Sequence, residues 1–386
     1  MNQAKRRLSI GFLYDDTLDS SDGVAQQVKT LGSWLSSRGH NVSYLVGETK
    51  MRRFGGNEVY SLAKNKTVTF NGNRLSIPVL TDRDKIKKVL AARHFDVLHV
   101  QVPYSPLMSQ VVINQANKST AIVGTFHIYP STFLAEAGAH ILRLLLGASL
   151  KKFDQIVSVS QPAADFANRA FGIRTDILPN VVDVAKFSHA TGKNSDAESY
   201  HIVFLGRLVK RKGCHNLLKA FVMLKKTVPN IRLTIAGDGP QRPALERYAR
   251  QQKLGDSVNF AGFIAEKGKP ELLASADIAC FPSLHGESFG IVLIEAMAAG
   301  AKVVLAGQNP GYASVLSGQG DLLVDPTNTE QFAARMGKLL RNEQLAEKLH
   351  KWQLAEVKKY DVANVGPRLE LIYRRAIAKK TKSRHN

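Results

Sequence analysis

Only two cysteines, Cys214 and Cys280, occur in 386 residues, and both lie far apart in apolar surroundings. Two such thiols make no disulfide framework and fit a reducing compartment. Long apolar runs are missing too: none approaches the ~18 residues that span a bilayer. Lys5, Arg6 and Arg7 precede only the brief run Leu8–Leu13, too short for the core of a secretory signal. Acidic residues are scarce. Asp plus Glu number 32 against 53 Lys plus Arg, a net charge of +21, and the excess runs through both halves rather than forming a basic tail. That balance favours an anionic partner: a phosphorylated small molecule, an anionic membrane face or nucleic acid. Several motifs are also absent. There is no Gly-x-x-x-x-Gly-Lys-Ser/Thr loop, no His-Glu-x-x-His and no Cys-x-x-Cys. The first strand leads into Tyr14–Asp22 rather than a Gly-x-Gly-x-x-Gly turn, which disfavours a dinucleotide dehydrogenase.

What is present is ordinary globular composition, with 44% hydrophobic and 22% charged residues, and a recurrent strand–helix alternation. Ser9–Leu13 is an apolar strand. Val24, Val28, Leu31 and Leu35 then recur at helical spacing until Gly39. Val42–Val46, Asp96–Val100, Ile122–Thr125, Gln155–Val159 and Thr175–Leu178 continue the series, with Ile141, Leu144, Leu145 and Ala148 marking a helix. Asn71-Gly72 between Thr67–Phe70 and Leu75–Val79 predicts a hairpin. The polar stretch Ser188–Ser199 predicts a linker. A second series follows: Ile202–Leu205, Leu233–Ala236, Val258–Ala261, Ile278–Phe281, Val303–Leu305 and Leu322–Val324. Strands alternating with helices predict an α/β fold of two doubly wound domains facing a cleft, with ligands beyond the carboxyl ends of the strands. The expected domains are residues 1–186 and 187–359, with a C-terminal helix near 360–386 packing back on the first.

The most informative segment is Ser283–Gly300, which leaves a strand, passes a Gly-flanked loop and opens a helix near Gly290. Unpaired N–H groups and a positive dipole end suit phosphate there. Glu287 stands at the mouth, where sugar hydroxyls could donate to it, and Glu295 within the helix could take both hydroxyls of a ribose. Either Glu could instead be structural, as a helix cap or a buried residue bonded to backbone. Arg207, Lys210, Arg211 and Lys212 follow the strand Ile202–Leu205, and their charges suit phosphate oxygens. Lys210 and Arg211 are expected to be merely solvated. Gly237-Asp238-Gly239-Pro240 reads as a turn. Gly262-Phe263-Ile264 could hold a base, although Phe263 could equally be core. In the first domain, Asp22-Gly23-Val24 opens a helix, another candidate phosphate or acceptor contact, and His127 ends a strand on the cleft side, although a single His is more often structural than catalytic; His99 and Gln101 end the preceding strand.

These residues carry a resemblance. Glu287-Ser288-Phe289-Gly290-x4-Glu295, Arg207 with Lys212, and Phe126-His127 resemble retaining glycosyltransferases of family four, over nearly the whole chain. Phe95–Val100, Gly286–Gly300 and Leu178-Pro179-Asn180-x2-Asp183 are similar to bacterial phosphatidylinositol α-mannosyltransferases. The resemblance implies a GT-B fold of two Rossmann-like domains and a nucleotide-diphosphate sugar as donor, GDP-mannose foremost, with no metal or other cofactor. It implies that Arg207 and Lys212 clamp the diphosphate with the backbone of Phe289, Gly290 and Ile291, Ser288 lying beside them. Glu287 would hold the sugar, Glu295 the ribose, and Gly262, Phe263 and Ile264 the base. His127 would lie beside the transferred sugar and Gly23 near the phosphate or acceptor. Three positions depart from the family pattern: Asp22 replaces a Gly, Gln101 a common His, and Val181 the Gly of Pro-Asn-Gly-x-Asp.

The implied acceptor is a hydroxyl, such as that of a phosphatidylinositol headgroup, and domain closure about Ser188–Ser199 would assemble the site. A nucleotide-sugar epimerase of the same fold is the rival enzyme. A nucleic-acid-binding protein is disfavoured, since no helix-turn-helix or aromatic-interleaved basic strand is present. Lys50, Arg52 and Arg53 surround Met51 and Phe54, and Lys64 and Lys66 follow Tyr60, in an expected loop. Cations among exposed apolar residues suit an anionic bilayer, although such a loop could also be simply solvated. The expected location is cytoplasmic, peripheral on the inner face of the plasma membrane.

Overall fold

The structure is a computed structural model that describes residues 6–20, 22–70, 73–129, 143, 146–188 and 199–383. Asn71-Gly72, the helical positions Ile141, Leu144 and Leu145, and the interior of the expected linker lie outside the described residues. The chain divides into two units: Met1–Val181 with Val362–Asn386, and Val182–Asp361.

The first unit begins β1 (Ser9–Tyr14), α1 (Gly23–Ser37), β2 (Asn41–Val46), β3 (Arg53–Phe54) and β4 (Asn57–Ser61). β5 (Ala63–Phe70), β6 (Asn73–Thr81), α2 (Arg83–Ala92), β7 (Val97–Val100) and α3 (Met108–Gln115) follow. It continues through β8 (Ala121–Phe126), β9 (Gln155–Ser158), α4 (Gln161–Phe171) and β10 (Asp176–Ile177). Its sheet runs β10-β9-β8-β7-β1-β2-β4-β3, parallel except at the β3–β4 hairpin. The strands are apolar on both faces because helices cover both. Ile10, Phe12 and Tyr14 of β1 join one cluster with Leu31 and Leu35 of α1, whereas Leu13 joins another with Val89 and Phe166 on the far side. β5 and β6 form a separate antiparallel ribbon, as the Asn-Gly signal predicts, with Phe70 opposite Asn73.

The second unit holds α5 (Val184–Ser188), β11 (Tyr200–Leu205), α6 (Cys214–Thr227), β12 (Ile231–Ala236), α7 (Arg242–Gln251) and β13 (Val258–Gly262). α8 (Lys269–Ala274), β14 (Ile278–Phe281), α9 (Ile291–Ala299), β15 (Val303–Gly307), α10 (Pro310–Val315) and β16 (Leu323–Val324) complete the sheet. α11 (Thr329–Arg341) and α12 (Glu343–Glu356) close the unit. Its six parallel strands run β13-β12-β11-β14-β15-β16, the doubly wound order 3-2-1-4-5-6. Cys214 and Cys280 are free and buried.

The chain changes unit between Val181 and Val182, five residues before the expected boundary. Val181 N donates to Gln27 Oε1 of α1 at 2.8 Å, while Val182 N donates to Tyr360 O at 3.0 Å. Adjacent backbone N–H groups are thus held by different units, and α5 packs on α9. α13 (Val362–Lys382) belongs to the first unit. Its Tyr373 is fully buried, and Gly366 lies so close to the Trp34 indole of α1 that a Cβ would come within 2.5 Å of it.

Candidate active site

In an open parallel sheet, ligands collect where neighbouring strands send their loops to opposite sides. In the second unit that point lies between β11 and β14, and the two most informative sequence segments are the loops leaving those strands. They are locked together by backbone. Leu284 N donates to Arg211 O at 2.8 Å, and Gly213 (φ +71°) packs on the Pro282 carbonyl, where any Cβ would collide. The lock brings Arg211 Nη1 to 2.7 Å and Lys212 Nζ to 2.8 Å from Glu287 Oε1. All three side chains are largely buried. Burial pushes the Glu287 carboxyl up, but Lys212 and Arg211 outweigh it and hold it below the usual carboxylate range. Burial, with Arg211 and Arg207 nearby, lowers Lys212 despite Glu287.

This arrangement corrects one expectation. Arg211 is no solvated bystander but a direct partner of Glu287; Lys210 and Arg207 are the exposed cations of the loop. Arg207 is still set by its surroundings, because Leu208 N donates to Asp238 O at 2.9 Å and Gln241 N to Leu208 O at 3.0 Å. The Gly237–Pro240 turn therefore buttresses the basic loop.

α9 starts at Ile291 with no side-chain cap on Gly290, and such an uncapped helix start suits an anion. Gly290 (φ +122°) is required by its surroundings: a Cβ would lie 2.6 Å from the Tyr312 ring. Phe289 buries its ring against Tyr360, with centroids 5.5 Å apart, so only its backbone can serve a ligand. Glu287 does not cap the helix, and Glu295 is not bonded to backbone. Glu295 is buried with Lys269 Nζ 3.5 Å away, and that ammonium lies 2.7 Å from Glu266. Burial raises the Glu295 carboxyl, with Lys269 opposing and Glu266 adding to the rise. At the end of β13, Phe263 is 70% exposed, which removes the core reading and leaves an aromatic face free beside Gly262 and Ile264.

In the first unit the corresponding point lies between β1 and β7. His127, just past β8, is buried rather than projecting freely, and its Nε2 lies 3.0 Å from Gln101 Oε1 beyond β7. Burial pushes the His127 imidazole down to about 3, so the ring is neutral. His99 is buried beside it, with Nδ1 2.7 Å from Tyr373 Oη and Nε2 2.7 Å from Thr125 Oγ1. The expected anion contact at Gly23 is changed by its neighbour. Asp22 Oδ1 accepts from Val24 N at 2.9 Å and Ala25 N at 3.1 Å, so α1 carries its own carboxylate cap.

Of the region expected to be a loop at residues 50–66, residues 50–52 lie in no strand, but most of the rest is β3, β4 and the start of β5. Arg52, Arg53, Lys64 and Lys66 are exposed, but Met51 and Phe54 are not: both pack on the core, with Phe54 edge-on to Tyr44. Among the described side chains of the β5–β6 ribbon, the exposed large apolar residues are Val79 and Leu80 of β6, each 64% exposed, with Leu80 paired to Lys64. Sequence reasoning missed them, though Val79-Leu80 on a two-stranded ribbon was the available signal. No helix among the described residues is long and apolar enough to cross a membrane.

Comparison with known proteins gives this geometry a context. The family model for glycosyl transferases group 1 matches residues 187–353, and that for glycosyltransferase family 4 matches residues 21–186. The phosphatidyl-myo-inositol mannosyltransferase of Mycolicibacterium smegmatis is 30% identical over 95% of this chain and 93% of its own. The Mycobacterium tuberculosis H37Rv protein of the same name is 31% identical over 95% of this chain and 96% of its own. Among solved structures, Anabaena HepE in complex with UDP and glucose superposes with a TM-score of 0.75 at 16% identity. The match covers 95% of this chain and 99% of that one. A glycosyltransferase from Rickettsia africae gives 0.76 at 17%, covering 96% and 99%. Those identities speak to the fold alone, which is GT-B. The chain belongs to glycosyltransferase family four and is a glycosyltransferase.

Proposed function

We propose that the chain is a retaining mannosyltransferase that moves mannose from GDP-mannose to a hydroxyl of phosphatidylinositol on an anionic membrane surface. The observation that carries this reading is the full-length relationship, at 30–31% identity, to proteins named phosphatidyl-myo-inositol mannosyltransferase. The acceptor oxygen bonds to the anomeric carbon as the bond from that carbon to the donor β-phosphate oxygen breaks. The departing phosphate oxygen takes the acceptor proton. Negative charge grows on the diphosphate, and Arg207, Lys212, the N–H groups at Phe289, Gly290 and Ile291, and the α9 dipole stabilise it. The protein uses no metal for that charge.

Glu287, kept ionised by its two cations, accepts from hydroxyls of the transferred sugar, with Ser288 beside it. Glu295 takes the ribose hydroxyls, and Gly262, Phe263 and Ile264 frame the base. His127 lies beside the sugar, and Gly23 approaches the acceptor side; the Asp22 carboxylate there disfavours a second phosphate on α1. Arg52, Arg53, Lys64 and Lys66, together with Val79 and Leu80, meet the bilayer as a peripheral contact on its cytoplasmic face. The test is incubation with a panel of sugar nucleotides and lipid vesicles, read by mass spectrometry. Mannosylated phosphatidylinositol from GDP-mannose alone supports the reading. An isomerised sugar nucleotide formed without acceptor would replace it with an epimerase.

A further inference from the structure

Gln101 and His127 end adjacent parallel strands, β7 and β8, on the side where this sheet presents its ligand-binding ends. Gln101 is 1% exposed, and its backbone is fixed by donation from its N–H to Leu13 O at 2.9 Å. Its side chain has one clear partner: Oε1 lies 3.0 Å from His127 Nε2. Its Nε2 is buried with no hydrogen-bond partner. A buried amide N–H left unmade costs about 1–3 kcal/mol, and such a group calls for an explanation. Here the cost goes with a defined outcome, since Oε1 can only accept and His127 Nε2 must then carry the proton. A histidine at position 101 could exchange that proton; glutamine cannot.

We propose that Gln101 is a positioning residue that locks His127 as the Nε2–H tautomer in one ring orientation. This rests on the reading that His127 lies beside the transferred sugar. Among the described residues, His99 is a titratable neighbour of His127; it is itself neutral and held by Tyr373 and Thr125. Burial keeps His127 neutral, and the Gln101 amide oxygen accepts at its Nε2.

The experiment is a long-range ¹H–¹⁵N spectrum of the histidines in the full chain from pH 5 to 8, alongside steady-state kinetics with GDP-mannose and phosphatidylinositol vesicles. In the wild type, His127 stays a neutral Nε2–H tautomer across the range. Gln101→Leu mixes the tautomers and lowers kcat ~10- to 100-fold with little change in the donor KM, as expected for a misplaced ring. Gln101→Glu puts a carboxylate on Nε2, draws His127 ionisation into the measured range, and makes kcat fall below that new pKa. An unchanged His127 tautomer in both variants, with wild-type kcat and pH profile, overturns the proposal. Full activity in His127→Ala would instead sink the reading of the site, while the tautomer spectra would still decide the role of Gln101.

Discussion

Arg211 Nη1 stands 2.7 Å from Glu287 Oε1, although 76 residues separate them in the chain. The contact exists because β11 and β14 are neighbours whose outgoing loops are bonded backbone to backbone. It turns a run of four cations into a differentiated set: two fixed on a carboxylate and two exposed.

That difference predicts an asymmetry within one loop. Arg211→Ala removes a charge-assisted hydrogen bond while Lys212 still neutralises Glu287, so it should cost ~1–3 kcal/mol in kcat/KM. Lys210→Ala, four atoms of stem on an exposed residue, should stay within about twofold. Equal losses in the two variants would contradict the assigned geometry.

Lys212→Ala should be more severe. It removes the second partner of Glu287 and a cation assigned to the departing diphosphate, for an expected loss of ~2.7–4 kcal/mol in transition-state stabilisation. With folding of the variant checked by circular dichroism, near-wild-type turnover would remove Lys212 from the site.

Glu295→Ala should behave differently. Ribose contacts are alike in ground and transition states, so the donor KM rises more than kcat falls. The variant also leaves Lys269 with Glu266 as its remaining ion-pair partner. A pure kcat effect would argue against the ribose role.

Asp16 supplies a pH test in the first unit. Burial raises its carboxyl to about 6, against Thr17 N–H donation, and Asp22 adds to the rise. Its folded pKa exceeds the unfolded value, so the folded state holds the proton more tightly between about 4 and 6. Stability from this group is therefore full at the acid end and is lost as pH rises through 6. Asp16→Asn should flatten that fall by ~1–2 kcal/mol after solvent screening. Thermal unfolding at pH 4.5 and 7 measures it, and an unchanged difference between the two would refute it.

Much of this was legible in the sequence, and the failures share a cause. The two strand–helix series, the β5–β6 hairpin and the loop into α9 depend on local pattern, which the residues state directly. The pairing of Arg211 with Glu287 depends on which strands become neighbours, and no local period encodes that. Met51 and Phe54 illustrate the same limit. Their spacing among Lys50, Arg52 and Arg53 suggests exposure, yet Phe54 on β3 meets Tyr44 edge-on and Met51 packs on the same core. Asp22 looked like a departure beside a ligand-binding glycine. Its backbone partners, Val24 and Ala25, show that it also does the ordinary work of a helix cap.

The ribbon makes a separate prediction. Sedimentation with vesicles containing anionic lipid should show salt-sensitive binding, at about 1 kcal/mol per basic residue near the surface. Changing Arg52, Arg53, Lys64 and Lys66 to Gln should weaken it without loss of donor affinity, and Val79→Ser with Leu80→Ser should weaken what remains at high salt. Indifference of the wild type to anionic vesicles at low salt would point to an acceptor that is not in a bilayer.

The most direct measurement is the anomeric configuration of the product. With GDP-mannose and phosphatidylinositol vesicles, the product should be an α-mannoside of the headgroup, keeping the donor configuration, and Glu287→Ala should abolish it. A β-linked product, or no transfer from any sugar nucleotide in the panel to any lipid offered, would contradict the account.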